Sequence, residues 1–257
     1  MLKPLSNASI NSFLAIVLLI TFSSCGTRRI AYFRDIPDST RGRSVPVAEF
    51  SDPLIQPDDV LSITVQTIDP QASAALNQPA TFASETQSVS GFLVDKSGNV
   101  EIPMLGVINL AGLTTVQARE KIRQEAAKFY REPTVQVRFA NYKITVLGEV
   151  NRPASFTLPN EKISVLDALA MAGDVTVFSK MNNVMLIRDN GKQKDIHRLD
   201  LTSSKLMQSP YFYMKKNDVL YVEANRDKVA SSEVAKMRFI TISLSVISLL
   251  TFILTRF

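Results

Sequence analysis

Tryptophan is absent from the 257-residue chain, and histidine and cysteine occur once each, as His197 and Cys25. A lone cysteine cannot close an intrachain disulfide, so no disulfide framework supports the fold. Cysteine and histidine are too few for a zinc or iron–sulfur site, and neither a metal nor a cofactor is expected. Cys–His or Ser–His nucleophilic machinery would depend on His197, which lies in an alternating polar stretch and reads as a solvated residue. A phosphate loop, dinucleotide glycines and a nucleophile elbow are all missing. Glycoside hydrolysis needs two carboxylates held a set distance apart. The adjacent Asp58 and Asp59 would face opposite sides of a strand and read as turn residues, or else as contacts to a neighbouring subunit. Composition leans against an enzyme.

What remains is ordinary globular material: 46% apolar residues, 21% charged ones and a formal charge of +5. That is enough for one or two domains with real cores, and it excludes a disordered chain. The charge excess is modest, and scattered solvated lysines and arginines account for it; nucleic acid is a poor candidate partner.

Charge is also missing from both ends. After Lys3, residues Phe13 to Ile20 form an apolar core of signal-peptide length, too short for a permanent span. Ser23 and Ser24 then precede Cys25, an order that resembles a bacterial lipoprotein signal in which the cysteine is acylated and begins the mature chain. The plainer alternative is an ordinary secretory signal with an incidental cysteine. At the other end, Phe239 to Thr255 is uncharged between Arg238 and Arg256. As a helix it would be about 26 Å long, which suits the thinner bacterial outer membrane. Arg226, Lys228, Lys236 and Arg238 precede it on the periplasmic side, the wrong side for an inner-membrane helix. On that helix Thr241, Ser245, Ser248, Thr251 and Thr255 fall within roughly 120° of arc. They are pore-lining candidates, with helix–helix packing through small residues as the alternative.

Between the ends, residues 25–50 are polar, basic and proline-containing, and read as a tether. Val60 to Val65 alternates as a half-buried strand, and residues 67–89, nearly uncharged and rich in Ala, Ser, Thr and Gln, read as a long loop. Gly91 to Pro103 carries a hairpin signal. Thr114 and Gln117 form a capping-box pattern ahead of a helix with Val116, Ile122, Ala126 and Phe129 as its apolar stripe, stopped by Pro133. Strands follow at Thr134 to Phe139, Ile144 to Val150 and Ser155 to Leu158, then a helix capped by Ser164 that ends at Gly173. Asn190-Gly191 joins two further strands. Asp59-Val60-Leu61 near the start is echoed by Asp218-Val219-Leu220 near the end.

Gln56-Pro57-Asp58-Asp59-Val60-Leu61, the Gly91 to Pro103 segment and the capped helix resemble the polysaccharide-export domain of Wza-type outer-membrane lipoproteins. Gly148, Glu149, Val150, Arg152 and Pro153, with Ala172 and Gly173, resemble the motif of a soluble-ligand-binding β-grasp (SLBB) domain. The family usually has glycine where this chain has Asp58, and another glycine where it has Asp174. The resemblance implies an α+β chain of two small, mainly β modules and a C-terminal membrane helix. Its divisions would be a signal peptide (1–24), a lipidated tether (25–50), an export domain (51–140), a β-grasp domain (141–225), a linker (226–238) and the membrane helix (239–257). It further implies a homo-oligomeric ring that passes capsular or extracellular polysaccharide across the outer membrane, most of the chain lying in the periplasm, fed by an inner-membrane co-polymerase that often carries a tyrosine kinase domain. The rival reading is a lipid-anchored glycan-binding or envelope-scaffolding protein without channel activity.

Overall fold

The computed structural model describes residues 31–39, 41–83, 88–191, 193–225, 228 and 241–247. Tyr32–Phe257 form one compact unit and Met1–Ala31 another; the signal segment and Cys25 lie outside the described residues.

The large unit is α+β and mainly β. Its first module runs β1 (Val60–Gln66), α1 (Pro70–Leu76), β2 (Ala80–Ala83), β3 (Ser88–Leu93), β4 (Asn99–Ile102), β5 (Gly106–Asn109), α2 (Thr115–Ala126) and β6 (Thr134–Phe139). The sheet order is β2-β3-β1-β6, antiparallel throughout. Alternation in β1 buries Leu61, Ile63 and Val65 in the same core as Ile122 and Ala126 of α2.

The second module comprises β7 (Lys143–Gly148), β8 (Ala154–Thr157), α3 (Val165–Met171), β9 (Val184–Asp189), β10 (Lys194–Leu199) and β11 (Val219–Val222). Its sheet is ordered β10-β9-β11-β7-β8, with β11 parallel to β7 and the other neighbours antiparallel. Capping boxes at Thr114 and Ser164 start α2 and α3 as their spacing predicts.

Four expectations change. Residues 67–89 are not one loop: Asp69 caps α1 through Gln71 N, and Pro70 occupies the first turn, where its missing N–H costs nothing. The strand at Gly91 does not pair with the strand at Val100; β3 lies between β2 and β1, while β4 pairs with β5. Val116 and Phe129 are 56% and 65% exposed, so the buried stripe of α2 is Ala118, Ile122 and Ala126. Finally, the described part of the tether is docked. Phe33 N and Arg34 N donate to Leu201 O and Thr202 O at 3.3 and 2.6 Å, and Ala48 N donates to Met207 O at 2.8 Å. The Asp35 carboxylate accepts from Ser204 N and Ser204 Oγ at 2.8 and 2.7 Å. The second module therefore contains an arm that precedes the first module in sequence.

Residues 241–247 are helical. Among the described residues no helix is long and apolar enough to cross a membrane; Ser248, Thr251, Thr255 and most of 239–257 lie outside them.

Candidate functional site

The two motif regions lie on turns, and the turns meet at the junction of the modules. In the first, Asp59 N donates to Gln56 O at 3.2 Å, and Gln56 N donates back to Asp59 Oδ2 at 2.9 Å. Asp58 between them has φ +68°, the left-handed region where glycine is unstrained. That explains a glycine preference at this position. Asp58 N donates to Val94 O, and Asp59 O accepts from Val94 N. The echo repeats this geometry. Asp218 N donates to Lys215 O at 3.1 Å, Lys215 N to Asp218 Oδ2 at 2.7 Å, and Asn217 has φ +63°. Asn217 N donates to Lys143 O, and Asp218 O accepts from Thr145 N. The short sequence echo is one turn built twice.

The two turns are also locked together. Asp59 is buried and its Oδ1 is paired with the Lys216 ammonium of the second turn. Asp218 is fully buried and accepts a two-pronged pair from Arg188, with Nε 3.0 Å from Oδ1 and Nη2 2.7 Å from Oδ2. The Arg188 guanidinium lies 5.7 Å from the Tyr211 ring, on which His197 stacks at 3.6 Å. His197 is thus half-buried against an aromatic face and is not simply solvated. A cleft of about 840 Å³ opens beside the first turn, lined by Asp58, Asn141, Lys143, Lys194 and Asn217 among others. Val60 and Leu61 of the motif are core residues.

The junction has a second seam, where Thr115 Oγ1 donates to Glu161 Oε2 at 3.4 Å and Lys162 sits over the Phe50 and Tyr213 rings at 5.6 and 5.3 Å. Burial, with the nearby Asp52 charge adding to it, holds the Glu161 carboxyl above the usual carboxylate range. A raised folded pKa contributes stability below the unfolded value and loses it as pH rises through the folded one. Glu161→Gln is therefore expected to stabilise the protein at neutral pH and to flatten its melting temperature between mildly acidic and neutral buffer. A variant with the parent's pH profile would contradict this.

In the second motif, Gly148 has φ +90°, and a Cβ there would lie 2.0 Å from Val222 O. Arg152 Nη2 donates to Met171 O at 3.0 Å and Arg152 N to Ala172 O at 2.8 Å, tying the turn to the end of α3. Asn151 Nδ2 donates to Gly173 O at 2.6 Å. Asp174, at φ +70°, again occupies a left-handed position; its Oδ1 accepts from Val175 N at 2.7 Å and from the Tyr32 hydroxyl. Burial chiefly, and Asp174 secondarily, push the Tyr32 phenol upward. Glu149 is buried, accepts Thr176 Oγ1 at 2.8 Å and pairs with the Lys228 ammonium. The Lys228 bond, more than burial opposes it, holds the Glu149 carboxyl below its ordinary value. Val150 is buried and Pro153 exposed.

Of the hydroxyl stripe, Thr241 and Ser245 are described: both are exposed, and Ser245 Oγ donates to Thr241 O at 2.7 Å. Sequence reasoning missed Lys216, Arg188, Tyr32 and Lys228, the partners of the four carboxylates above. Among the described residues no group of three or more His, Cys, Asp or Glu could hold a metal ion.

Residues 47–140 match the family described as polysaccharide biosynthesis/export protein, and residues 142–222 match the SLBB domain. The chain is 28% identical over 182 residues to the EPS I polysaccharide export outer membrane protein EpsA of Ralstonia nicotianae, covering 66% of this chain and 46% of that protein. EpsA of Ralstonia solanacearum is 30% identical over 145 residues, 52% of this chain and 38% of its own. The capsule polysaccharide export outer membrane protein CtrA of Neisseria meningitidis serogroup A is 27% identical over 136 residues, 51% and 35% respectively. The chain thus spans less than half the length of these relatives. The names of these relatives describe polysaccharide export outer membrane proteins and not enzymes.

Proposed function

Because the chain is, by its two domains, a Wza-type polysaccharide export protein, we propose that it forms a homo-oligomeric conduit through which capsular or extracellular polysaccharide crosses the outer membrane. The observation that carries this reading is the succession of an export domain and an SLBB domain, shared with relatives named for export through that membrane. Cys25 is the acylated first residue of the mature chain, and the segment from 239 crosses the membrane. A single helix encloses no lumen, so a conduit needs several copies around an axis. The hydroxyls of Thr241, Ser245, Ser248, Thr251 and Thr255 would then face the lumen, where neutral groups exchange hydrogen bonds with sugars without trapping them. The polymer arrives from an inner-membrane co-polymerase facing the export domain.

Supporting this, the two motif turns are joined across the domain junction by the Asp59–Lys216 ion pair. The test is imaging of detergent-extracted, envelope-purified protein together with its intact mass. Rings with a central cavity, built from chains that start at an acylated Cys25, are the expected result. A stable monomer would overturn the conduit and leave the lipid-anchored glycan-binding reading. An unmodified chain starting at Met1 would remove the anchor.

A further inference from the structure

The four-stranded sheet of the export domain has two open edges. Among the described residues, β2 borders only β3, and β6 borders only β1. Ala140 N donates to Val60 O at 2.7 Å. In the register Ser62↔Arg138 and Thr64↔Gln136, the amides of Arg138 and Gln136 therefore point at β1. The alternate residues Val135, Val137 and Phe139 turn their N–H and C=O groups outward. This edge is six residues long and has no proline, glycine or bulge to blunt it. The SLBB edge strand β10, by contrast, carries Lys194, Asp195 and Arg198, the kind of charge that keeps strands apart. The β6 edge opens into a cleft of about 620 Å³, whose other walls include Val116 and Arg119 of α2 and residues 158–162 of the SLBB domain.

The opposite edge of the same sheet supplies a matching strand. β2 is antiparallel to β3, β3 to β1 and β1 to β6, so β2 and β6 run in opposite directions. A second copy in the same orientation, stepped sideways, lays its β2 antiparallel on β6 and continues the sheet. The charges match as well. From Gln66 to Asp95, the stretch that holds β2 and β3, the chain contains Asp69, Glu85 and Asp95 and no lysine or arginine. The cleft at β6 is lined by Arg119, Arg138 and Lys162 against Asp52 and Glu161, and burial holds the Glu161 carboxyl towards its neutral form.

We infer that the export domains of neighbouring copies join edge to edge, β2 of one on β6 of the next, as one continuous antiparallel sheet. The inference rests on the proposed homo-oligomer and names a surface that builds it. Each copy presents both halves of the contact, which is therefore heterologous: it passes from copy to copy and closes into a ring where the rotation per copy divides a full turn. The outward groups of Val135, Val137 and Phe139 supply main-chain hydrogen bonds, as in other strand additions. The opposed charges decide which edge meets which.

The test produces two differently tagged full-length chains in one cell, one with Ala80→Cys and the other with Thr134→Cys, Gln136→Cys or Arg138→Cys, and oxidises the intact envelope. By register, position 80 shares a face of the sheet with 134, 136 and 138, and these three, all exposed, sample registers two residues apart. Cys25 is common to every chain, so singly substituted chains set its background. One of the three pairs should link the two tags at least ~tenfold above that background, because a disulfide needs Cα atoms within about 7 Å. Ala80→Cys with Ser155→Cys, on the SLBB edge strand β8, should stay at background. Sedimentation of the same preparations separates the two levels of the argument. Multi-copy particles without any of the three links overturn the edge pairing and leave the conduit standing, whereas a stable monomer overturns both. A link from position 134, 136 or 138 to a different protein overturns the second copy as the strand's source.

Discussion

Gly148→Ala should cost the SLBB domain most of its stability, whereas Gly106→Ala should cost little. The two glycines share a left-handed backbone, with φ +90° and +80°, so both variants carry the strain of placing a Cβ there, about 1 kcal/mol. They differ in what the Cβ meets. Nothing lies within 4 Å at Gly106, but at Gly148 the new carbon would sit 2.0 Å from Val222 O and 2.9 Å from its carbonyl carbon. Those are backbone atoms of β11, which pairs in parallel with β7 through Val222↔Gly148 and lies at the centre of the sheet. No rotamer change relieves the overlap, so either the end of the ladder opens or the domain unfolds. A loss of at least ~4 kcal/mol follows, a large share of the 5–15 kcal/mol typical of a folded domain. Thermal melts should show the first domain of Gly106→Ala lowered by only about 4–8 °C, with Gly148→Ala lacking a cooperative transition for the second domain. Equal, small shifts for both would mean that β7 and β11 do not approach as described.

These close approaches mark the boundary of what the sequence discloses. Features whose partners are near in the chain are legible: the Thr114 box bonds three residues ahead, Ser164 does the same, and Asn190-Gly191 turns β9 into β10. Both departures from the expected glycines, Asp58 and Asp174, fall at left-handed backbone. Helix α1 is hidden because its Ala- and Ser-rich residues bury only Leu76 and show no apolar period. The docked arm is hidden for another reason: its fastening combines backbone hydrogen bonds to residues 201–207 with Asp35 on Ser204, partners more than 150 residues away that no local side-chain pattern encodes. The site divides in the same way. Asp58, Asp59 and Arg152 are turn residues, as their neighbours suggest, but the cations that neutralise Asp59 and Asp218 come from distant elements. Only the folded chain brings Lys216 to Asp59.

That pair sets the second large effect. Asp59→Ala is expected to loosen the export domain from the SLBB domain. Its carboxylate is 3% exposed and does two jobs, closing the turn through Gln56 N and neutralising Lys216, whose side chain is 19% exposed. Removing the acid leaves a mostly buried ammonium without a counter-ion, and breaking a buried pair from one side costs roughly 3–5 kcal/mol. Replacing Lys216 with methionine in the same chain removes the orphaned charge while keeping its apolar stem, and the double variant should recover most of the loss. The chain crosses between the domains twice, after the docked arm and in the short segment around Ala140 and Asn141, and Asn141 Nδ2 itself donates to Asp58 O at 3.2 Å. Loosening should therefore appear as faster proteolytic cleavage near residue 140 in Asp59→Ala, reversed in the double variant. If the motif instead served contacts between subunits, Asp59→Ala would dissociate the assembly while the 140 region stayed protected, and adding Lys216→Met would not restore it. Measuring cleavage and sedimentation on the same preparations separates an acid that holds one protomer rigid from an acid that joins neighbours.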